Sequence, residues 1–126
     1  TVKPTTTLNL IKLTKMDICF VPEFLRERCA ITDFMENHEL LAVGTHSMEI
    51  YNKIVQCHGR YPKNTVMLTP TEAEMLKYYS NIFNAMKVIF ANEMYDICET
   101  IGADYNKIKE AFILNMSSFG AEGGRL

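Results

Sequence analysis

Apolar and polar positions follow different rhythms before and after residue 68. In the first part the apolar runs are short and continuous: Ile18, Cys19, Phe20 and Val21, then Leu40 to Val43 ahead of Gly44, then a run over 65–68. The first run predicts a strand over 17–21 buried on both faces and ended by Pro22, the second another short buried strand over 40–44, and the third a further strand candidate. Over 47–57 the rhythm changes. Met48, Ile50, Tyr51, Ile54 and Val55 recur at helical spacing behind Ser47, a candidate cap. At the start, Pro4 holds Lys3 extended, and Thr5, Thr6 and Thr7 offer caps for a helix over 8–13, as at a strand-to-helix junction.

The strongest local signal opens at Thr69. Threonine there can cap free amides, Pro70 occupies the first helical position, and Glu72 can close a capping box. Neither proline nor glycine follows until Gly102, which predicts one uninterrupted helix of about thirty residues, roughly 45 Å long. Leu76, Tyr79, Phe83, Met86, Phe90, Ile97 and Ile101 form one apolar row, and Tyr78, Ile82, Ala85 and Ile89 form a second beside it. Lys77, Ser80, Asn81, Asn84 and Lys87 make a narrow polar strip, in which Lys77 and Asn81 stand one turn apart. An apolar stripe this wide predicts burial on two sides, against the chain's own domain and against another helix or subunit. After Gly102, Asp104 can cap a shorter helix over 104–114 that carries Ile108, Ala111, Phe112 and Leu114; residues 117–124 read as loop.

The fold class expected is therefore an α/β part over 1–68, followed over 69–126 by an all-α part dominated by one long central helix. The whole is 126 residues, 48% hydrophobic and 22% charged, an ordinary globular balance without repeats or low-complexity tracts. A net charge of −2, with basic residues scattered, argues against nucleic acid. The four cysteines, Cys19, Cys29, Cys57 and Cys98, show neither a CxxC pair nor a disulfide framework, which fits reduced thiols in the cytoplasm. His38, His46 and His58 lack metal-pair spacing, so no metal is expected, and no apolar run approaches the roughly 20 residues of a membrane span. Starting at Thr1 in what reads as the end of a strand, the sequence is expected to be a piece of something larger.

Candidate chemistry sits in two places. Glu23 and Glu27 follow a predicted buried strand and Pro22, where α/β folds put site residues; on a helical turn their i, i+4 spacing would aim both carboxylates one way. Spacing alone also fits a solvated pair beside Arg26. Lys77 and Asn81 can address one small volume, though a solvated lysine fits the same pattern.

Thr71-Glu72-Ala73-Glu74-Met75-Leu76-Lys77 with Asn81, Ala91-Asn92-Glu93, and Gly102-Ala103-Asp104-Tyr105 together resemble the central helical domain of the UDP-glucose/GDP-mannose dehydrogenase family. Pro22-Glu23-Phe24-Leu25-Arg26-Glu27 is similar to that family's proline-glutamate-phenylalanine-leucine segment and lies at the expected distance upstream. The resemblance implies that 1–68 is the C-terminal part of an NAD-binding Rossmann-like domain. It also implies that 69–126 is a central helical dimerisation domain, with a long helix at the core of a homodimer. The implied reaction oxidises the C6 alcohol of a UDP- or GDP-hexose to a carboxylate, with two NAD molecules used in turn and a cysteine thioester between them. Carried over by residue, Glu23 matches the glutamate assisting thioester hydrolysis, and Glu27 a second acid near the water and nicotinamide. Lys77 and Asn81 match the pair stabilising charge on the substrate oxygen, and Thr1 the threonine that helps hold the catalytic water. Thr1 and Glu27 are thus also the candidate cofactor contacts.

The sequence departs from the family pattern in three respects. It contains no GxGxxG fingerprint, and the position expected for the nucleophilic cysteine, after a glycine-rich echo over 119–124, holds Arg125 and Leu126. Arg28 stands where the family commonly has glycine. The chain alone is accordingly expected to be inactive. Its rivals as a reading are a dimerisation or interaction module derived from such an enzyme, and a pseudoenzyme that binds ligand without turning it over.

Overall fold

The structure, a computed structural model, describes residues 1–120. The element order is α1 (Thr6–Thr14), a 3-10 turn (Glu27–Cys29), α2 (Ala30–Met35), β1 (Leu40–Gly44), α3 (Met48–His58), β2 (Asn64–Leu68), α4 (Pro70–Ile101) and α5 (Tyr105–Gly120). The chain divides into two compact units, Thr1–Ile82 and Phe83–Leu126.

In the first unit β1 and β2 pair in parallel, from Leu40 opposite Asn64 to Gly44 opposite Leu68. Parallel neighbours need a crossover, and α3 supplies it. Ser47 caps α3 as its sequence suggested, its hydroxyl accepting from the Ile50 amide at 3.3 Å. The Tyr51 hydroxyl then ties α3 to β2 through Thr65 Oγ1 at 2.8 Å. Leu41, Ala42 and Val43 are almost wholly buried. Together they form the apolar centre of this unit, and burial of the Leu41 and Val43 side chains contributes about 1.5–3 kcal/mol each.

The strand expected over 17–21 does not form. Only Phe20 pairs, through one antiparallel bridge to Gly44, with amide-to-carbonyl distances of 3.0 and 2.8 Å. Pro22 has no N–H to extend the ladder, and Ile18, Cys19, Phe20 and Val21 are half-buried rather than enclosed on both faces. The helical turn expected across Glu23–Glu27 is also absent: helical geometry starts only at the 3-10 turn that begins with Glu27. Arg28 stands within that turn without a positive φ, so the turn itself does not demand glycine. The short helix α2 had no predicted counterpart.

The long helix begins as its sequence dictates. Thr69 N–H and Oγ1 each donate to Glu72 Oε2 at 2.7 Å, while the Glu72 amide donates to Thr69 Oγ1 at 3.3 Å, a reciprocal capping box. The same contacts hold the Glu72 carboxyl below its usual pKa, the Thr69 amide contributing most. The helix runs 32 residues without interruption and ends at Gly102, whose φ of 70° places it in the left-handed region.

The first turn of α4 is driven into the end of the sheet. Pro70, Ala73 and Glu74 are buried, and a Cβ on Gly44 would lie 2.6 Å from Ala73 Cβ and 3.0 Å from Pro70 Cα. Glu74, with 0% exposure, reaches the start of α1. Its Oε2 accepts from the Thr5 amide at 2.6 Å, and its Oε1 accepts from the Thr7 amide at 2.8 Å and the Thr7 hydroxyl at 2.7 Å. A distant carboxylate thus caps α1. Thr5, one of the three threonines offered as caps and the one at the N-cap position, makes no side-chain cap bond and sits at φ 75°. That conformation strains a β-branched residue, and the two amides gripped by Glu74 flank it.

In the second unit, α5 is capped by Asp104, whose Oδ1 accepts from the Asn106 and Lys107 amides at 3.0 and 3.2 Å. Tyr95 and Tyr105 meet edge to face at 5.5 Å between centroids, and Cys98 is buried. Helix α5 extends to Gly120, past the expected end at 114, so 117–120 are helical rather than loop. The remainder of that predicted loop, and the terminal Arg125 and Leu126, lie outside the described residues. Most of the two apolar rows of α4 are exposed: Tyr79, Ile82, Phe83, Met86, Ile89, Phe90, Ile97 and Ile101 all show 45% or more of their surface. The predicted two-sided burial is therefore not supplied by these residues themselves.

Two substitutions measure this packing. Glu74→Gln puts an amide donor against one of the Glu74-bound N–H groups and is expected to lower unfolding free energy in urea by about 2–4 kcal/mol. Gly44→Ala, forced against Ala73, is expected to cost about 1–3 kcal/mol by the same measurement.

Candidate functional site

The opening turns of α4 gather two loops. Glu74 holds the segment that leads from Thr1 into α1, and three residues further along Lys77 reaches the segment after Pro22. The Lys77 ammonium donates to the Glu23 carbonyl oxygen and lies 5.4 Å from the centre of the Phe24 ring. Cation and ring at that distance attract, which seats the Phe24 side chain on the helix. Asn81 follows Lys77 by one turn of the unbroken helix, and steps of three and four put Glu74, Lys77 and Asn81 on one face. The Asn81 side chain is exposed, whereas Lys77 is half-buried.

Of the five residues singled out from sequence, the structure joins Lys77 directly to Glu23, through the backbone of the latter. The Glu23 and Glu27 side chains are both exposed. Glu27 opens the 3-10 turn, so the two carboxylates stand on an extended stretch and a turn rather than on one helical face. Thr1 is exposed at the beginning of the segment that Glu74 anchors.

Two buried acids were not singled out. Glu74 extends the polar strip of α4 by one turn, and that continuation was the available signal. Asp33 had none beyond being an acid in a segment with Ile31 and Phe34. With 6% exposure, it accepts from the Arg26 amide and Nε at 2.9 Å each and from Nη2 at 2.7 Å, and Cys29 Sγ lies 3.6 Å from Oδ2. The Arg26 side-chain contacts, followed by its backbone N–H, hold the Asp33 carboxyl well below the usual carboxylate range.

Next to Asp33 on α2, Phe34 packs against three rings: His38 at 5.2 Å, His58 at 6.0 Å and Tyr61 at 5.2 Å. The histidines are 6.0 Å apart by centroid. His58 Nδ1 is 2.9 Å from the Ile54 carbonyl oxygen, while His38 Nδ1 is buried with no hydrogen-bond partner. Burial, then the proximity of His58, pushes the His38 pKa down. Sequence position had separated these histidines, and the fold of α2, β1 and α3 brings them together.

Among the described residues no group of three or more His, Cys, Asp and Glu side chains could hold a metal ion. None of their helices is long and apolar enough to cross a membrane. All four cysteines are free thiols, Cys57 exposed and Cys98 buried. The two candidate cofactor contacts, Thr1 and Glu27, are both exposed. The sequence carries no GxGxxG fingerprint to cradle a dinucleotide's pyrophosphate, and among the described residues Thr1 and Glu27 alone do not make up an NAD site.

Residues 71–121 match the central domain of the UDP-glucose/GDP-mannose dehydrogenase family, the stretch that contains Glu74, Lys77 and Asn81. The chain belongs to that family. It is 37% identical over 94 residues to a UDP-glucose 6-dehydrogenase of Bacillus subtilis, covering 75% of this chain and 20% of the relative. Against the UDP-glucose 6-dehydrogenase of Rickettsia bellii it is 32% identical over 123 residues, covering 91% and 28%. In structure it is similar to a UDP-glucose dehydrogenase from Pyrobaculum islandicum, with a TM-score of 0.82 and 28% identity over 93% of this chain and 29% of that one. It is also similar to a GDP-mannose dehydrogenase from Pseudomonas aeruginosa solved as a ternary complex, with a TM-score of 0.78 and 26% identity over 90% and 28%. The chain thus spans between a fifth and about 29% of the length of these relatives.

The His38 environment sets a pH dependence. A histidine whose folded pKa lies below its ordinary 6.5 favours the native state while neutral, so its contribution is whole above 6.5 and is lost as pH falls through the folded value. Melting temperature is expected to drop between pH 7.5 and pH 5.5, and His38→Leu is expected to flatten that drop.

Proposed function

We propose that this chain is part of an NAD-dependent dehydrogenase that oxidises the C6 alcohol of a UDP- or GDP-hexose to a carboxylate. On this reading 1–68 is the C-terminal part of the NAD-binding domain and 69–126 most of the central helical dimerisation domain. The observation that carries the proposal is the Lys77 contact. The lysine projects from the helix matched by the family and holds the Glu23–Phe24 segment, so an amine and an acid-bearing loop that are far apart in sequence adjoin. Lys77 and Asn81 would donate to one developing oxyanion on the substrate, a task in which a single donor is worth roughly 3–4 kcal/mol. Glu23 would take a proton from attacking water, Glu27 would stand near that water and the nicotinamide, and Thr1 would help hold the water. The four free thiols favour a reducing, cytoplasmic setting.

The gene product that contains this chain is expected to form NADH from NAD with UDP-glucose or GDP-mannose, and Lys77→Ala is expected to lower kcat by about 100-fold or more. Absence of NADH formation with both nucleotide sugars refutes the proposal. The 126 residues alone are expected to form none.

A second reading, a dimerisation module derived from such an enzyme, is favoured by the exposed apolar rows of α4 and by Ile108, Phe112 and Ile113 of α5. Either reading makes the long helix self-associate. Sedimentation of the chain at tens of micromolar is expected to show a homodimer. A dimer from a gene product that forms no NADH selects the module.

A further inference from the structure

Arg26 lies between the two acids of the Pro22–Glu27 segment, and its main chain is fastened on both sides. Its N–H donates to Asp33 Oδ2 at 2.9 Å, and its carbonyl accepts from the Cys29 amide at 3.0 Å. The guanidinium returns to the same carboxylate through Nε and Nη2, closing a two-pronged pair. Burial is unequal across this contact, since the Asp33 side chain is 8% exposed and that of Arg26 73%. The anchor therefore belongs to α2 and the interior, while the fastened residue belongs to the surface loop. An ion pair with one partner so exposed adds little to stability. Its main consequence is geometric: a fork and a backbone N–H on one carboxylate leave the main chain at residue 26 few orientations.

That point controls both flanks. Upstream, Phe24 and the Glu23 carbonyl are seated on Lys77; downstream, the 3-10 turn starts at Glu27. With residue 26 released, Glu23 and Glu27 could swing independently, and Lys77 would lose the loop that covers it. We propose that Asp33 is a positioning residue, which fixes Glu23 and Glu27 relative to Lys77 by clamping Arg26. The proposal deepens the dehydrogenase reading and rests on it for the claim that these three residues face a reacting group.

Two measurements separate the parts. In the chain itself, Asp33→Asn and the milder Arg26→Lys are compared with wild type by amide hydrogen exchange and by acylation of Lys77 with an amine-directed reagent. Exchange at residues 26 and 29 is expected to rise about 10-fold or more, with faster Lys77 acylation, while the β1 amides keep their protection. Unchanged exchange and acylation in both variants overturn the clamp. Arg26→Lys keeps the fold in hand should Asp33→Asn lose it, because that change lies at an exposed side chain.

In the gene product, the same variants are expected to lower kcat about 10-fold or more, with the KM for the nucleotide sugar within about 2-fold of wild type. A loosened loop with unchanged kcat overturns the positioning role. Absence of turnover in the wild type refutes the dehydrogenase reading instead, and exchange and acylation still decide whether Asp33 holds the loop.

Discussion

One buried carboxylate joins the beginning of this chain to the helix that starts near its middle. Glu74 has no exposed surface, and both of its oxygens are occupied by the opening residues of α1. The free amides at a helix start need acceptors, and a buried carboxylate needs donors. Each requirement meets the other across 67–69 residues of sequence. The close contact of Gly44 with Ala73, one residue earlier on α4, leaves little freedom to the carboxylate's backbone. The left-handed Thr5 is the local cost of this arrangement, borne by a residue whose own side chain does not cap the helix.

From that junction the candidate site is built in steps of one helical turn. Glu74 fixes the loop after Thr1, Lys77 fixes the loop at Glu23, and Asn81 extends the same face. Asp33 holds the second loop from its far side through Arg26. The proposed reaction would draw an amine, two acids and a hydroxyl from separate stretches of chain, which requires those stretches to share a rigid support. The beginning of a helix driven into the end of a parallel strand pair provides one. Glu23 and Glu27 are exposed while Asp33 and Glu74 are buried, and it is the buried pair that holds backbone.

What could be foreseen from the sequence was local. The Thr69–Glu72 capping box, the Ser47 cap, the Asp104 cap and the left-handed Gly102 all appear where residue type and spacing put them, because each signal acts within a few residues. The strands β1 and β2 and both long-helix termini followed from such signals, while the parallel pairing of the strands is set by the fold. The failures were long-range. Ile18 to Val21 has a strand's composition but only one partner residue, Gly44, and Pro22 closes the edge. The threonines before α1 looked like caps because nothing near them announced that Glu74 would take the role. The His38–Phe34–His58 cluster and the Arg26–Asp33 clamp likewise depend on which elements pack together. Resemblance supplied Lys77, paired with Asn81, and Glu23 as separate site residues, which periodicity alone would have left on solvated faces; that the lysine holds the Glu23 backbone follows from the fold.

Native-state amide hydrogen exchange at Thr5 and Thr7 tests the Glu74 junction most directly. If the carboxylate holds α1, these two amides exchange as slowly as those of Leu41 to Val43 and open in the same cooperative step. Exchange at the rate of an unprotected loop, with the β1 amides still protected, would contradict the claim that this contact joins the two ends of the first unit.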